Sequence, residues 1–497
     1  MILALLAVAA WGQKVPVEEF VLPNGMKFLL VPRRGDPNVA VGWVARVGSV
    51  NERPGITGIS HLFEHMMFKG TRTIGTSNID EEMKTLREMD AVRAEIRREE
   101  QALIEKQRRG QVADAKDPKS RTPRHRELVE KYDALVKKAR GYIVKDELDR
   151  IYRTAGGSGL NAGTDQDYTV YFINVPANKL ELWFWMESDR LVNPVFREFY
   201  SERDVVHEER RMRTDSTPTG RFQEQYESMF WQASPYAWPV VGWPSDLEGI
   251  TREEAESYFS LYYAPNNLAA CLVGDFDPAR AKELAKEYFG RLKRGPRDPE
   301  PVRTQEVKQL AEQRMTAYAE SNPEVHIRYH SVADNHADEP ALLMMSNVLN
   351  GRTGRLYKSL VLEQQLATAV RAASSGLKYE GYFEIVGTAR PGKDPVEVEK
   401  AIYKEMEALA TTPVGERELQ KVKNQQQATD FRRLQSNFGL MIQLLVSEAQ
   451  GSWQIINQYA EKFQAVTADD IQRVAKKYFA LENRTVALYY RKEGAKP

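Results

Sequence analysis

The sequence has little cysteine, no net charge and no long apolar run beyond its first residues. A single cysteine, Cys271, in 497 residues excludes an intrachain disulfide framework and any cysteine-based metal site. It leaves the redox compartment open. Lys+Arg and Asp+Glu stand at 70 each, so nothing in the charge points to nucleic acid. No later stretch approaches the roughly 18 consecutive apolar residues of a membrane span. What remains is ordinary globular composition, 42% hydrophobic and 28% charged. At about 100–200 residues per domain, two to four domains are expected.

The N-terminus reads MILALLAVAAWGQ. An apolar run ending in small residues fits the core and cleavage site of a signal peptide, with Ala7-Val8-Ala9 or Val8-Ala9-Ala10 as cleavage sites. The basic residues that usually precede such a run are missing. Residues 1–13 are therefore read as a leader, and the protein as exported to the periplasm or cell envelope.

From Glu18 the pattern is strand-like. Phe20-Val21-Leu22 leads through the turn Pro23-Asn24-Gly25 into Phe28-Leu29-Leu30-Val31. A third apolar strand is expected over 39–47. Residues 58–70, GISHLFEHMMFKG, then place His61, Glu64 and His65 in the pattern H-x-x-E-H. Positions i, i+3 and i+4 share one helix face. Two imidazoles one turn apart can hold one metal ion, with a carboxylate beside them. Ile59, Leu62, Phe63, Met66 and Met67 make the other sides apolar, as in a buried helix.

Residues 78–142 are dense in Glu, Lys and Arg. Met83, Leu86, Met89, Val92 and Ile96 recur at helical spacing, as do Leu128, Tyr132, Leu135 and Val136. The pattern predicts two long antiparallel helices projecting from the domain. Next come the Gly-rich GGSGLNAGTDQDYTVYFINVP and a helix over 201–214, SERDVVHEERRMRTD.

An internal repeat follows. Thr251 pairs with Thr467, Tyr262 with Tyr478 and Asn267 with Asn483, at a constant offset of 216 positions. The chain thus reads as two halves of one fold, a catalytic domain over 14–290 and a second domain over 307–497. The Pro-rich and charged segment 291–306 links them.

A catalytic zinc site keeps three protein ligands and one open position. His61 and His65 supply two. The best source of a third is the helix over 201–214, whose inward stripe is expected to run Glu202, Val205, Val206, Glu209 and Met212. Arg203, Asp204, Glu208 and Arg211 fall on the other side, and His207 is a rival ligand off the stripe. Glu64 is placed to take a proton from water acidified by the ion and pass it to a leaving amine. A bare H-x-x-E-H arises by chance in charged surface helices. The apolar flanks, the bounding glycines and the carboxylate helix set this one apart.

The motifs GISHLFEHMMFKGT, LNAGTDQDYTVYF, ERDVVHEE and YYAPNNLAACLVGDFDP, in this order, resemble the pitrilysin/insulinase family of zinc peptidases. The likeness is to its two-domain branch with the mitochondrial processing peptidases. The resemblance implies an α+β fold of two homologous α/β rolls, each an antiparallel sheet packed with helices. It implies one zinc ion per chain on His61, His65 and Glu209, Glu64 as base, and Glu202 as an acid supporting the site. Substrate backbone is expected by strand addition at the strand after N-A-x-T, with Asn161 and Ala162 as contacts. Unfolded peptides would enter a chamber.

Two features depart from the family. The second histidine and Glu209 lie 144 positions apart, the excess being the charged hairpin. Where self-sufficient members carry an Arg and a Tyr in the second half, this chain has Val361 and Thr368, with Arg355 and Tyr357 nearby at the wrong spacing. The expected partner is therefore a metal-free homologous subunit carrying the Arg/Tyr pair, in a heterodimer. A processing peptidase for targeting sequences, or a non-catalytic scaffold subunit of the same fold, are the alternatives.

Overall fold

The computed structural model describes residues 14–492. The expected leader and its cleavage sites lie outside the described residues. The first half builds β1 (Glu18–Val21), β2 (Lys27–Pro32), β3 (Asn38–Ala45), α1 (Ile59–Met66), α2 (Ile79–Arg108), α3 (Pro123–Arg140), β4 (Ser158–Thr164), β5 (Thr169–Pro176), α4 (Phe199–Arg210), α5 (Gly220–Phe230) and β6 (Leu268–Gly274). Its six-stranded sheet has the order β1-β2-β6-β3-β5-β4. The fold is α+β. The sheet is mixed rather than purely antiparallel, because β6 returns from a helical crossover to lie parallel to β2.

Alternation along β3 divides two cores. Val39, Val41 and Trp43 face α1 through Leu62, Phe63 and Met66. Ala40 and Val44 face the opposite side. Among the described residues, strand β4 is at the sheet edge, paired only with β5.

The charged hairpin forms as two helices, started by the side chains of Asn78 and Thr122. Leu86, Met89 and Ala139 close its base against Val195, and Val92, Ile96 and Leu128 seal it further out. It does not project freely. Arg252 Nε meets Asp90 Oδ1 at 2.9 Å, Arg97 donates to Gly249 O, and Lys116 Nζ lies 2.7 Å from Glu248 Oε1. The hairpin is thus laid along the body of the first half.

The second half builds β7 (Gln313–Ala319), β8 (Glu324–His330), α6 (Glu339–Leu349), β9 (Ala367–Gly376), β10 (Gly381–Ala389), α7 (Glu416–Gln435), α8 (Asn437–Gln450) and β11 (Arg484–Arg491). Its sheet order is β7-β11-β8-β10-β9, with β7 and β11 parallel. The repeated residues do the same work twice. Thr251 and Thr467 each cap a helix in a reciprocal box, with Glu254 and Asp470. Asn267 Nδ2 donates to Tyr262 O at 2.8 Å, and Asn483 Nδ2 to Tyr478 O at 2.7 Å. Each amide closes a helix end just before a central strand.

The halves exchange helices. α8 packs Leu440, Met441, Leu444 and Leu445 on the back of the first sheet, against Val44, Ala269, Cys271 and Val273. Gly42 permits this close approach, since a Cβ there would sit 2.6 Å from Tyr171 O and 3.0 Å from Met441 Sδ. In return α5 places Tyr226 against Ala317, Ala487 and Tyr489 of the second sheet. Each sheet therefore borrows cover from the other half.

Candidate active site

Helix α1 is held at its start by a buried carboxyl group, that of Glu52, which burial pushes up to about 8. Glu52 accepts from Gly58 N at 2.7 Å and Ser60 N at 2.8 Å, satisfying first-turn donors at the positive end of the helix. Gly58 itself sits at φ +88°, and a Cβ there would stand 2.5 Å from Val241 O. Phe63 stacks on Tyr258 with ring centroids 5.4 Å apart. With that apolar face buried, His61, Glu64 and His65 turn toward a cavity of about 960 Å³ that also borders β4 and α4.

There the two histidines meet Glu209. His61 Nε2 stands 3.7 Å and His65 Nε2 3.3 Å from Glu209 Oε2. Donor atoms of these three residues all lie within 4.8 Å of one another, the only three-residue cluster of this kind among the described residues. Donors arranged tetrahedrally at about 2.0–2.1 Å from an ion stand roughly 3.4 Å apart, so the set fits zinc. His61 Nδ1 is buried with no hydrogen-bond partner among the described residues. Burial, with His65 nearby, pushes His61 down to about 4, which keeps its imidazole neutral, the form that ligates.

Glu202 lies behind His65. Its Oε2 is 3.5 Å from His65 Nδ1, and its Oε1 is 2.5 Å from Lys69 Nζ. Burial pushes Glu202 up, but His65 and Lys69 outweigh it and hold the carboxyl below its usual value. The same hydrogen bond raises His65. A proton on Nδ1 leaves the Nε2 lone pair facing Glu209. Arg213 Nη1 pairs with Glu209 Oε1 at 2.5 Å. Glu64 accepts from Thr164 Oγ1 at 2.7 Å through Oε2. Thr164 was not singled out by the sequence reading. Its one signal was its place as the last residue of the N-A-x-T stretch.

Four expectations are corrected here. Regular α-helix ends at Arg210, and 211–215 form a wider π-type turn. Val205 is 46% and Met212 64% exposed, so the inward stripe splits. Glu202, Val206 and Glu209 turn inward, while Val205 and Met212 line the cavity. Arg203 is buried, not solvated, because its guanidinium donates to Glu248 O at 2.7 Å and stands over the Tyr200 ring. Finally, the strand after N-A-x-T is β5, which is paired on both edges. Among the described residues the edge beside the site belongs to β4, which itself carries Asn161 and Ala162. Asn161 Oδ1 accepts from Ala162 N at 2.9 Å.

Residues 27–117 match the family Insulinase (Peptidase family M16), and residues 249–426 match the Peptidase M16 inactive domain. The chain belongs to the pitrilysin/insulinase peptidase family. The inactive-domain match lies beyond all the converging residues above. The zinc protease PqqE of Helicobacter pylori is 26% identical over 93% of this chain and 90% of its own length. The zinc protease YmxG of Bacillus subtilis, itself uncharacterized, is 20% identical over 95% of this chain and 98% of its own. In structure, a protease from Helicobacter pylori superposes with a TM-score of 0.77 at 24% identity, covering 95% of this chain and 99% of its own. The periplasmic protease PqqL of Escherichia coli does so at 0.68 and 16%, with 97% of this chain matching 48% of that one. Insulinase-family membership and the two-sheet α+β fold agree with the sequence reading.

Proposed function

We propose that the chain is a zinc-dependent endopeptidase acting on short unfolded peptides. One observation carries the reading: two imidazoles and a carboxylate converge on one point, beside a further glutamate and a free strand edge. The names of the relatives point the same way. His61, His65 and Glu209 would hold the ion. When bound, zinc acidifies water and polarises a carbonyl as a Lewis acid. Glu64 accepts the proton of the attacking water at Oε1, since Oε2 is engaged by Thr164, and returns it to the leaving amine. Glu202 keeps the His65 proton on Nδ1. The outer edge of β4, at Asn161 and Ala162, receives the substrate backbone by strand addition.

The chain is further proposed to be the metal-bearing member of a heterodimer that encloses the substrate chamber. Val361 is buried, and the Thr368 hydroxyl donates to Thr388 O. Neither offers the donors of an Arg or a Tyr to a substrate carbonyl. Arg355 is engaged by Glu418 at 2.8 Å. A location in the cell envelope is proposed from the N-terminal run. Among the described residues no helix is long and apolar enough to cross a membrane.

Metal analysis joined to a peptide assay tests the reading. Glu209→Ala should lose zinc and activity, and Glu64→Gln should lose activity but keep zinc. Zinc retained in Glu209→Ala would overturn the ligand assignment. Full turnover of a quenched peptide by the purified chain alone would overturn the heterodimer.

A further inference from the structure

We propose that Thr164 is the positioning residue for Glu64 and ties that base to the strand offered to substrate. The inference rests on the peptidase reading above. Thr164 Oγ1 donates to Glu64 Oε2 at 2.7 Å, and Thr164 is the last residue of edge strand β4. One strand therefore both leaves an edge free for substrate and holds the carboxylate that must face the attacked bond.

The hydrogen bond has a definite task. A glutamate fixed in one rotamer gives up side-chain freedom. A hydrogen bond to a charged acceptor is strong enough to offset that loss and hold it. With Oε2 accepting from Thr164, Oε1 is the less encumbered oxygen for exchanging the proton.

Thr164 can do this because its own frame is fixed. It pairs with Thr169 of β5, whose buried hydroxyl donates to Val47 O at 2.9 Å. The turn that follows is pinned by Ser49 N and Val50 N, which donate to Asp165 O and Gln166 O at 3.3 and 2.9 Å. Gly48 allows that contact, because a Cβ there would lie 2.2 Å from Asp165 O. Four residues on from Gly48, Glu52 holds the start of α1. The circuit closes: α1, Glu52, the segment 48–51, the turn at 165–166, Thr164, and Glu64 back on α1. A shift of β4 on taking up a substrate strand is thus transmitted to Glu64.

The test compares zinc-loaded wild type, Thr164→Val and Thr164→Ser, each in its native complex, on a quenched peptide. Valine keeps the shape and removes the donor, and serine keeps the donor. Thr164→Val should lower kcat about 10–100-fold, part of the 10²–10⁴ a positioned base contributes. KM should stay within about twofold and zinc content unchanged, and Thr164→Ser should recover kcat to within about threefold. Wild-type kcat in Thr164→Val, equal impairment in Thr164→Ser, or a loss confined to KM would overturn the proposal. If Thr164→Val does not fold, Thr164→Ala is read against Thr164→Ser by the same criteria. No turnover by the wild type, either alone or in its native complex, overturns the proposed function and this inference with it. Turnover that Thr164→Val leaves intact overturns this inference alone.

Discussion

Replacing Glu202 by glutamine should damage zinc binding more than replacing it by alanine. The carboxylate serves two donors on opposite oxygens, Lys69 Nζ at Oε1 and His65 Nδ1 at Oε2. An amide has one acceptor. Lys69, charged and 2.5 Å away, claims that oxygen and turns the NH₂ toward His65. Two donors then face each other, and His65 escapes by moving its proton to Nε2, the atom aimed at Glu209. Alanine instead leaves space in which water can accept from Nδ1. Partners of this kind are worth about 10–100-fold in metal affinity, or about 1.4–2.8 kcal/mol. Glu202→Gln is expected at or above the upper end of that range and Glu202→Ala near the lower. Competition against a fluorescent zinc chelator at neutral pH reads both, and activity at saturating zinc separates lost metal from lost catalysis. Glu202→Gln within twofold of wild type would refute the role given to Glu202, and Glu202→Ala weaker than Glu202→Gln would refute the tautomer argument.

Other perturbations test the frame around the site. Gly58→Ala must put a Cβ at φ +88° and 2.5 Å from Val241 O. A loss of about 3 kcal/mol is expected in urea unfolding, combining backbone strain and overpacking. Leu444→Ala on α8, fully buried against the first sheet, should cost about 2–5 kcal/mol, read as the midpoint of first-half unfolding. Burial and Asp334 push Glu339 up to about 7. Since the folded state holds its proton more tightly than the unfolded chain, this stabilisation is complete below about pH 4.5 and is lost as pH rises through about 7. Glu339→Gln should remove on the order of 2 kcal/mol of that pH dependence, and thermal melts from pH 5 to 8 showing an unchanged slope would count against it.

What could be read from the sequence was whatever depends on local spacing. The H-x-x-E-H face, the inward placement of Glu202 and Glu209 seven residues apart, and the 216-residue repeat all follow from helix period and cap chemistry. The misreadings share a different origin. Helical period places Val205 and Met212 on the stripe of Glu209, but it cannot tell a core from the wall of a cavity. The same period places Arg203 on the side away from the stripe, yet that side is covered too, and the carbonyls of Glu248 and Ile250, on a segment that returns from α5, satisfy the guanidinium. Which strand ends the sheet, and which half supplies a sheet's cover, are matters of topology. No local pattern in β4 records that its outer edge is free, and none in α8 records that it crosses to the other half.

Residue choice and edge chemistry separate the half that gathers the candidate ligands from the half that does not, although both halves are built alike. Helix α6 follows β8 as α1 follows β3, but it reads EPALLMMSNVL and has no histidine, and its one acid, Glu339, bonds to Tyr459. The edges differ as well. In β9, at the edge of the second sheet, Asn350 Nδ2 donates to Ala372 O at 2.6 Å, and Ala372 N donates to Asn350 Oδ1 at 2.8 Å. That side-chain amide occupies the backbone groups an added strand would use, which is one way proteins blunt a free edge. In β4 no asparagine from a neighbouring element does this: Asn161, on the strand itself, accepts through Oδ1 from the N–H of its own neighbour, Ala162, and among the described residues no other strand pairs with the outer edge. An open edge is an aggregation liability unless something uses it. Here it is kept open on the half where two histidines, Glu209 and Glu64 lie beside it, and closed on the half where they are absent.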